Sequence, residues 1–254
     1  MSKISLEDAF IKGSKGEFDK ENEIVVRGII KKDRMNHARK EGKDFYYIDT
    51  GYLGNFPSVG NPGGKKVYHR VVKNGLQHSE LRDVPADRWN KIITDDPRLA
   101  FKGKKNFDKK ILLVMPNPKA CNFYNIDYET WVKEIKQQIA TNIDLPIEVR
   151  IKGTRTYRNR EYSIYDAFDS GVYATVCLNS IAALESVLYG IPAFVSVPCA
   201  ATPLANTDLK NLSNPFFPDK SIIQKQCHNI AYGQFTVNEI ENGTAWNIIK
   251  RYEK

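Results

Sequence analysis

Cysteine and histidine are scarce in this chain. The four cysteines, Cys121, Cys177, Cys199 and Cys227, show no C-x-x-C spacing, and His37, His69, His78 and His228 form no H-x-x-x-H pair. That pattern points to a reducing cytoplasm and to no zinc site. Long apolar runs are missing too, and the N-terminal MSKISLEDAF has no apolar core, so neither a membrane span nor a secretory signal is expected. The chain also lacks G-x-x-x-x-G-K-[ST] and G-x-G-x-x-G, which removes the main support for a P-loop ATPase or a simple dinucleotide oxidoreductase. No internal repeat or low-complexity tract is present.

What is present is ordinary for a globular protein: 254 residues, 41% apolar and 27% charged, enough for one large or two small domains. The net charge of +8 is unevenly placed. Residues 1–108 carry 22 Lys and Arg against 16 Asp and Glu, whereas residues 109–254 carry 16 against 14. A basic first half suits a polyanionic partner, because each Lys or Arg contact to a phosphate releases counterions.

The pattern of apolar runs predicts an α/β chain. Residues 1–22 read as polar surface with weak helical character. Ile24–Ile30 is a strand, Lys31–Glu41 a basic helix closed by Gly42, and Asp44–Asp49 a second strand. The Gly/Pro/Asn/Ser-rich stretch from Gly51 to Lys66 is a loop at the rim of the sheet, leading into a strand at Val67–Val72. A short helix is expected around Ala86–Ile93. Residues 99–110, charged and containing Gly103, are the linker candidate. Beyond them, strands at Ile111–Met115, Ile147–Ile151, Tyr173–Leu178 and Ala193–Val197 alternate with helices at Tyr128–Thr141, around 163–167 and at Ile181–Tyr189. Val237–Tyr252 reads as a final helix. Strand and helix in alternation make a doubly wound parallel sheet.

The most informative stretch is YATVCLNSIAALESVLYGIPAFVSVPCAATPLA, residues 173–205. It is a buried strand, a polar Asn179-Ser180 turn, a small-residue helix with Glu185 as its one charge, Gly190-x-Pro192, and a second buried strand. Such a turn at a strand's carboxyl end aims backbone N–H groups at a phosphate. Ser180, Ala183, Glu185, Gly190 and Pro192 together resemble the donor-binding βαβ unit of GT-B glycosyltransferases, including capsule-type sugar transferases and phage enzymes that glycosylate DNA. The resemblance implies an α/β, GT-B-like fold: two Rossmann-like domains with parallel sheets, the N-terminal one abbreviated. Residues 1–106 would bind the acceptor and residues 107–254 the nucleotide-sugar donor, and the C-terminal helix has the option, common in GT-B enzymes, of crossing back.

The resemblance also implies roles. Asn179, Ser180 and the helix N-terminus would hold the donor phosphates, and Glu185 the ribose hydroxyls. Arg150, Lys152 and Arg155, at a strand end, would neutralise the diphosphate. Asn117 stands where it can touch the donor or shape a turn. Inverting transfer to a hydroxyl needs one general base. Asp49, at the end of DFYYID, is the candidate, with His69 and Asp44 as alternatives and a loop-capping role open to Asp49. No D-x-D triplet occurs, so metal-independent chemistry is expected, with a divalent ion optional and no cofactor required beyond a UDP-sugar donor. The expected acceptor is double-stranded phage DNA bearing 5-hydroxymethylcytosine, modified in the host cytoplasm. A capsule or lipopolysaccharide sugar is the alternative acceptor, and a non-catalytic nucleotide-sugar or nucleic-acid binding protein is the alternative class. No membrane and no obligate protein partner are expected.

Overall fold

The computed structural model describes residues 4–54, 68–151 and 163–252. In chain order it has α1 (Leu6–Gly13), β1 (Glu23–Arg27), α2 (Lys32–Lys40), β2 (Asp44–Thr50), β3 (His69–Lys73), α3 (Asp87–Asp95), β4 (Lys110–Val114), α4 (Pro118–Phe123) and α5 (Tyr128–Asn142). There follow β5 (Ile147–Arg150), α6 (Ile164–Asp169), β6 (Val172–Cys177), α7 (Ala182–Tyr189), β7 (Ala193–Val195), α8 (Lys220–Ala231), β8 (Gln234–Phe235), α9 (Val237–Glu241) and α10 (Thr244–Tyr252). The chain divides into two compact units, Met1–Arg98 with Cys227–Lys254, and Leu99–Gln226. The α/β class read from the sequence is the one observed. The division differs from the expected 106/107: it falls at residue 98, and the last 28 residues belong to the first unit.

The first unit is built on a four-stranded sheet of order β1-β2-β3-β8. β1 and β2 are parallel, as a βαβ unit requires, but β3 and β8 each add antiparallel. The expectation of a parallel sheet therefore holds here for one pair. A single helical crossover supplies one parallel neighbour; the next strands arrive without one. β1 also ends before the predicted Ile30, because Gly28 takes φ +77 and the chain turns into a 3-10 turn at Ile29–Lys31.

One face of this sheet packs on α1, α9 and α10. Phe10, Tyr46 and Trp246 meet with ring centroids 5.0–5.6 Å apart, surrounded by Ile48, Val71, Phe235 and Ile249. The reading of residues 1–22 as surface is thus overturned for α1. Leu6, Ala9, Phe10 and Gly13 fall at helical spacing on one buried face. The predicted final helix is two helices: Asn242 Oδ1 accepts from the N–H of Thr244 and restarts the chain as α10. Arg39 lies 5.1 Å over the Phe45 ring, and Met35 and Ala38 are buried, so α2 covers the opposite face, which carries Phe45, Tyr47 and Asp49.

The second unit holds a fully parallel sheet of order β5-β4-β6-β7. Ile111, Leu112, Leu113, Ala174 and Val176 are buried with almost no exposure, as strands covered on both faces must be. Residues 99–110 are no linker. The N–H groups of Lys102 and Lys105 donate to the carbonyls of Leu188 and Gly190 at 2.9 and 2.8 Å, and both ammonium groups lie within 4.7 Å of the Tyr189 ring centroid. The segment straps the C-terminus of α7, satisfying carbonyls that a helix end leaves open.

That strap explains Gly190. It caps α7 with φ +98, and a Cβ there would stand 1.9 Å from the Gly103 carbonyl oxygen. Gly190→Ala is expected to cost about 2 kcal/mol through left-handed strain plus backbone displacement. Gly16→Ala, at φ +93 with nothing within 4 Å of its Cβ, should cost about half as much. Equal losses for the two in denaturant unfolding would show that the strap can move aside.

Candidate functional site

In the second unit the register sets Val114 opposite both Arg150 and Cys177, so the carboxyl ends of β4, β5 and β6 are level. From β4 the chain passes to β5 on one side of the sheet, and from β6 to β7 on the other. The gap between β4 and β6 is therefore the switch point, where open α/β sheets bind ligands. Asn117 and the Asn179-Ser180 turn flank it.

Asn117 shapes its turn: its Oδ1 accepts from the N–H of Lys119 at 2.9 Å, capping α4. Ser180 stands one residue before the N-cap, Ile181. Its Oγ accepts from Ala182 N–H at 3.2 Å and its carbonyl from Ala183 N–H at 3.1 Å. Two donors of the first turn are thus already satisfied by Ser180, which leaves its hydroxyl proton to offer to a ligand. Asn179 is half-buried at the same turn.

Seven of the eight residues of α7 are buried, and Glu185 is the exception. The reading of Glu185 as a carboxylate within an apolar helix is corrected in one respect: it is half-exposed, reaching solvent from a helix otherwise enclosed. Its place in the first turn is favourable to a negative charge.

Arg150 is the last residue of β5 and is half-buried, two strand spacings, or about 10 Å, from the end of β6. Its charge also reaches Asp166, whose carboxyl lies below its ordinary range, chiefly through hydrogen bonding in the Ser163–Asp166 capping box. Lys152 and Arg155 lie outside the described residues. A cavity of about 280 Å³ opens elsewhere, beside α5 and β7, lined by Trp131, Gln138, Phe194, Ser196 and Asp208. It holds none of the candidate site residues.

In the first unit Asp49 sits at the carboxyl end of β2. Its Oδ2 accepts from the Tyr47 hydroxyl at 2.6 Å and from Arg70 at 3.1 Å, and its Oδ1 accepts from the N–H of Thr50 at 2.8 Å. The side chain keeps 37% of its surface exposed. Arg70 is far more enclosed, with Nε on the Leu76 carbonyl, one terminal nitrogen on the Thr50 carbonyl, and its plane over Tyr47 and Tyr52 at 5.5 and 5.4 Å. Burial pulls that guanidinium down, but Asp49 together with Tyr52 and Tyr47 outweighs it and holds Arg70 above its ordinary value. Burial likewise pushes the Tyr47 phenol up, so it stays a donor to Asp49.

The two alternative bases are placed differently. Asp49 pairs opposite Arg70, and His69 opposite Thr50, so the pleat puts His69 and Asp49 on opposite faces. They cannot share one proton relay. Asp44 lies at the far end of β2, bonded to Lys73 at 2.7 Å and Asn74 at 2.7 Å. Burial raises its carboxyl, and those two partners bring it below the ordinary range.

The buried network behind Asp49 leaves no sign in the sequence. Tyr52 OH accepts from the backbone N–H of His78 at 2.8 Å and makes a second hydrogen bond, 2.9 Å long, with His78 Nδ1, whose direction follows the imidazole tautomer. Gln234 Oε1 accepts from the N–H groups of Tyr52 and Leu53, and its Nε2 donates to the Leu53 carbonyl. Only Tyr47 was detectable in advance, two residues from Asp49 on the same strand face. Among the described residues no group of three His, Cys, Asp or Glu side chains is placed to hold a metal ion, and no helix is long and apolar enough to cross a membrane.

No family model and no curated protein matches the chain. Among solved structures it is similar to the KpsC β-Kdo 2,4-transferase of Thermosulfurimonas dismutans, with a TM-score of 0.49 and 14% identity over 80% of this chain and 78% of that one. At that identity the likeness is one of fold, and the site stands on its own geometry.

Proposed function

We propose that this protein is a glycosyltransferase that moves a sugar from a UDP-sugar to a hydroxyl acceptor. The observation that carries the reading is Glu185: the one solvent-reaching residue of an enclosed helix that starts beside the switch point of a parallel sheet. A carboxylate in that position suits a pair of ribose hydroxyls. The Ser180 hydroxyl suits a phosphate oxygen, and Arg150, with Lys152 and Arg155 in the sequence just beyond it, suits the diphosphate. Chemistry on the acceptor is assigned to Asp49, which would take the hydroxyl proton, held in place by Tyr47 and Arg70.

The acceptor proposed first is 5-hydroxymethylcytosine in double-stranded DNA, supported by the net +5 charge of residues 27–43 in the first unit. A capsule or lipopolysaccharide sugar is the second candidate. The test of the donor site is titration calorimetry with UDP and UDP-sugars. Glu185→Ala is expected to weaken UDP binding roughly 10- to 100-fold, the worth of a hydrogen bond to a charged group. Undiminished affinity would remove the assignment of Glu185. Incubation with hydroxymethylated and unmodified DNA and a panel of UDP-sugars, read by nucleoside mass spectrometry, tests the acceptor. A hexose or pentose gained on the modified base alone is the expected product, and none with any sugar sends the search to polysaccharide hydroxyls.

A further inference from the structure

The charge asymmetry of the chain has a local origin. Residues 27–43 carry seven Lys and Arg (Arg27, Lys31, Lys32, Arg34, Arg39, Lys40 and Lys43) against Asp33 and Glu41. That net +5 is nearly the whole excess of the first 108 residues. The structure gathers these residues on α2 and its two ends. Met35 and Ala38, three apart, are turned into the sheet, and the rest of the helix faces outward or to its flanks. Lys31 is bonded to Glu7 at 2.6 Å, and Lys43 to Glu41 at 3.0 Å. Arg27, Arg34 and Lys40 have no carboxylate partner among the described residues, and all three are exposed. Concentrated like charge of this kind is self-repelling, and a polyanion relieves it.

We propose that the outer surface of α2, extended by Arg27, is a docking surface for the phosphate backbone of duplex nucleic acid. Three observations select that occupant. First, an anionic membrane surface would call for an apolar face beside the basic one. The apolar residues of α2 are committed to the core, and Ile30 is the one large exposed apolar side chain in the segment. Second, single strands are held by bases stacked on aromatic rings. Among the described residues of the first unit no aromatic side chain is among the exposed large apolar groups. Third, a nine-residue helix is about 14 Å long, a length over which duplex carries about eight phosphates.

The placement suits an acceptor. β1 and β2 are parallel, and Gly28 N–H donates to the Ile48 carbonyl at 3.0 Å, so Arg27 and the start of α2 sit at the same sheet edge as Asp49. That last step rests on the reading of Asp49 given above; docking itself does not.

The test is fluorescence anisotropy of a labelled 20-base-pair duplex with the full chain, without donor nucleotide, across a salt series. With five cations of the segment on phosphates (Arg27, Lys32, Arg34, Arg39 and Lys40), log K against log salt should fall with a slope of about −4.5. The triple variant Arg27→Gln, Arg34→Gln, Lys40→Gln should make that slope shallower by about 3. A matched triple on the second unit, Lys133→Gln, Lys136→Gln, Lys210→Gln, removes the same charge from exposed positions and should leave the slope within one unit of wild type.

Should the first triple fold poorly, Lys40→Glu alone is expected to reduce the slope by one or more. Equal losses in the two triples, an unchanged slope in the α2 triple, or no salt-dependent duplex binding by the wild type would each overturn the proposal. So would α2-dependent binding to phosphatidylglycerol vesicles without binding to duplex. UDP affinity, measured in parallel, reports on the second unit separately, so failure of one reading is not mistaken for failure of the other.

Discussion

Gln234→Leu is expected to destabilise the first unit by about 3 kcal/mol or more. The side chain is 1% exposed and serves three backbone groups: the N–H of Tyr52 at 2.7 Å, the N–H of Leu53 at 3.2 Å and the carbonyl of Leu53 at 3.0 Å. Tyr52 and Leu53 are themselves 3% and 2% exposed, so water cannot readily replace the lost partner. Each buried group left without a partner costs about 1–3 kcal/mol, and leucine offers none. Gln234→Glu separates the contributions, since it keeps both acceptor contacts and loses the donor. It should fall between wild type and leucine at neutral pH. Urea unfolding followed by tryptophan fluorescence measures both. A loss under 1 kcal/mol for leucine would mean that residues 52–54 have another way to satisfy their backbone.

Asp49→Asn is expected to lower sugar transfer by about two to four orders of magnitude, the usual contribution of a general base, with UDP-sugar affinity unchanged. Asparagine keeps the size of the side chain and an oxygen for the N–H of Thr50. Arg70 keeps the carbonyls of Leu76 and Thr50 and the faces of Tyr47 and Tyr52. Folding should therefore survive, and the loss should appear in kcat. Activity within threefold of wild type would return Asp49 to a structural role at the strand end, capping the Thr50 N–H and pairing with Arg70 and Tyr47.

The second unit was the more legible in the sequence. Strands covered on both faces become continuous apolar runs such as ILLVM and YATVCL, and each of them is a strand in the structure, shifted by a residue or so. The antiparallel turn of the first sheet was not legible, because half-covered strands carry a weaker pattern. Nor was α8, whose buried face includes Gln226 and Asn229, both 0% exposed, alongside Ile223 and Ile230. Buried amides erase the contrast on which helical periodicity depends, and their partners are remote: Asn229 binds Arg82 and the carbonyl of Glu80, about 150 positions away in sequence. The strap at 99–110 was misread for a related reason. Its lysines look solvated, yet it is their backbone that makes the contacts. At the candidate site, the sequence placed Asp49, Ser180 and Glu185 at strand ends and a helix start, and that placement stands. Of the partners of Asp49, Arg70 is beyond the reach of the sequence, because it approaches from another strand.

The first unit is discontinuous, and this fixes the order in which a nascent chain can complete its two halves. When residue 226 leaves the ribosome, all of the second sheet is available, while the first sheet still lacks β8 and its core still lacks Trp246 and Ile249. Until the last residues follow, β3 presents an unpaired edge and Phe10 and Tyr46 want their largest neighbour. The unit synthesised first is therefore the one finished last.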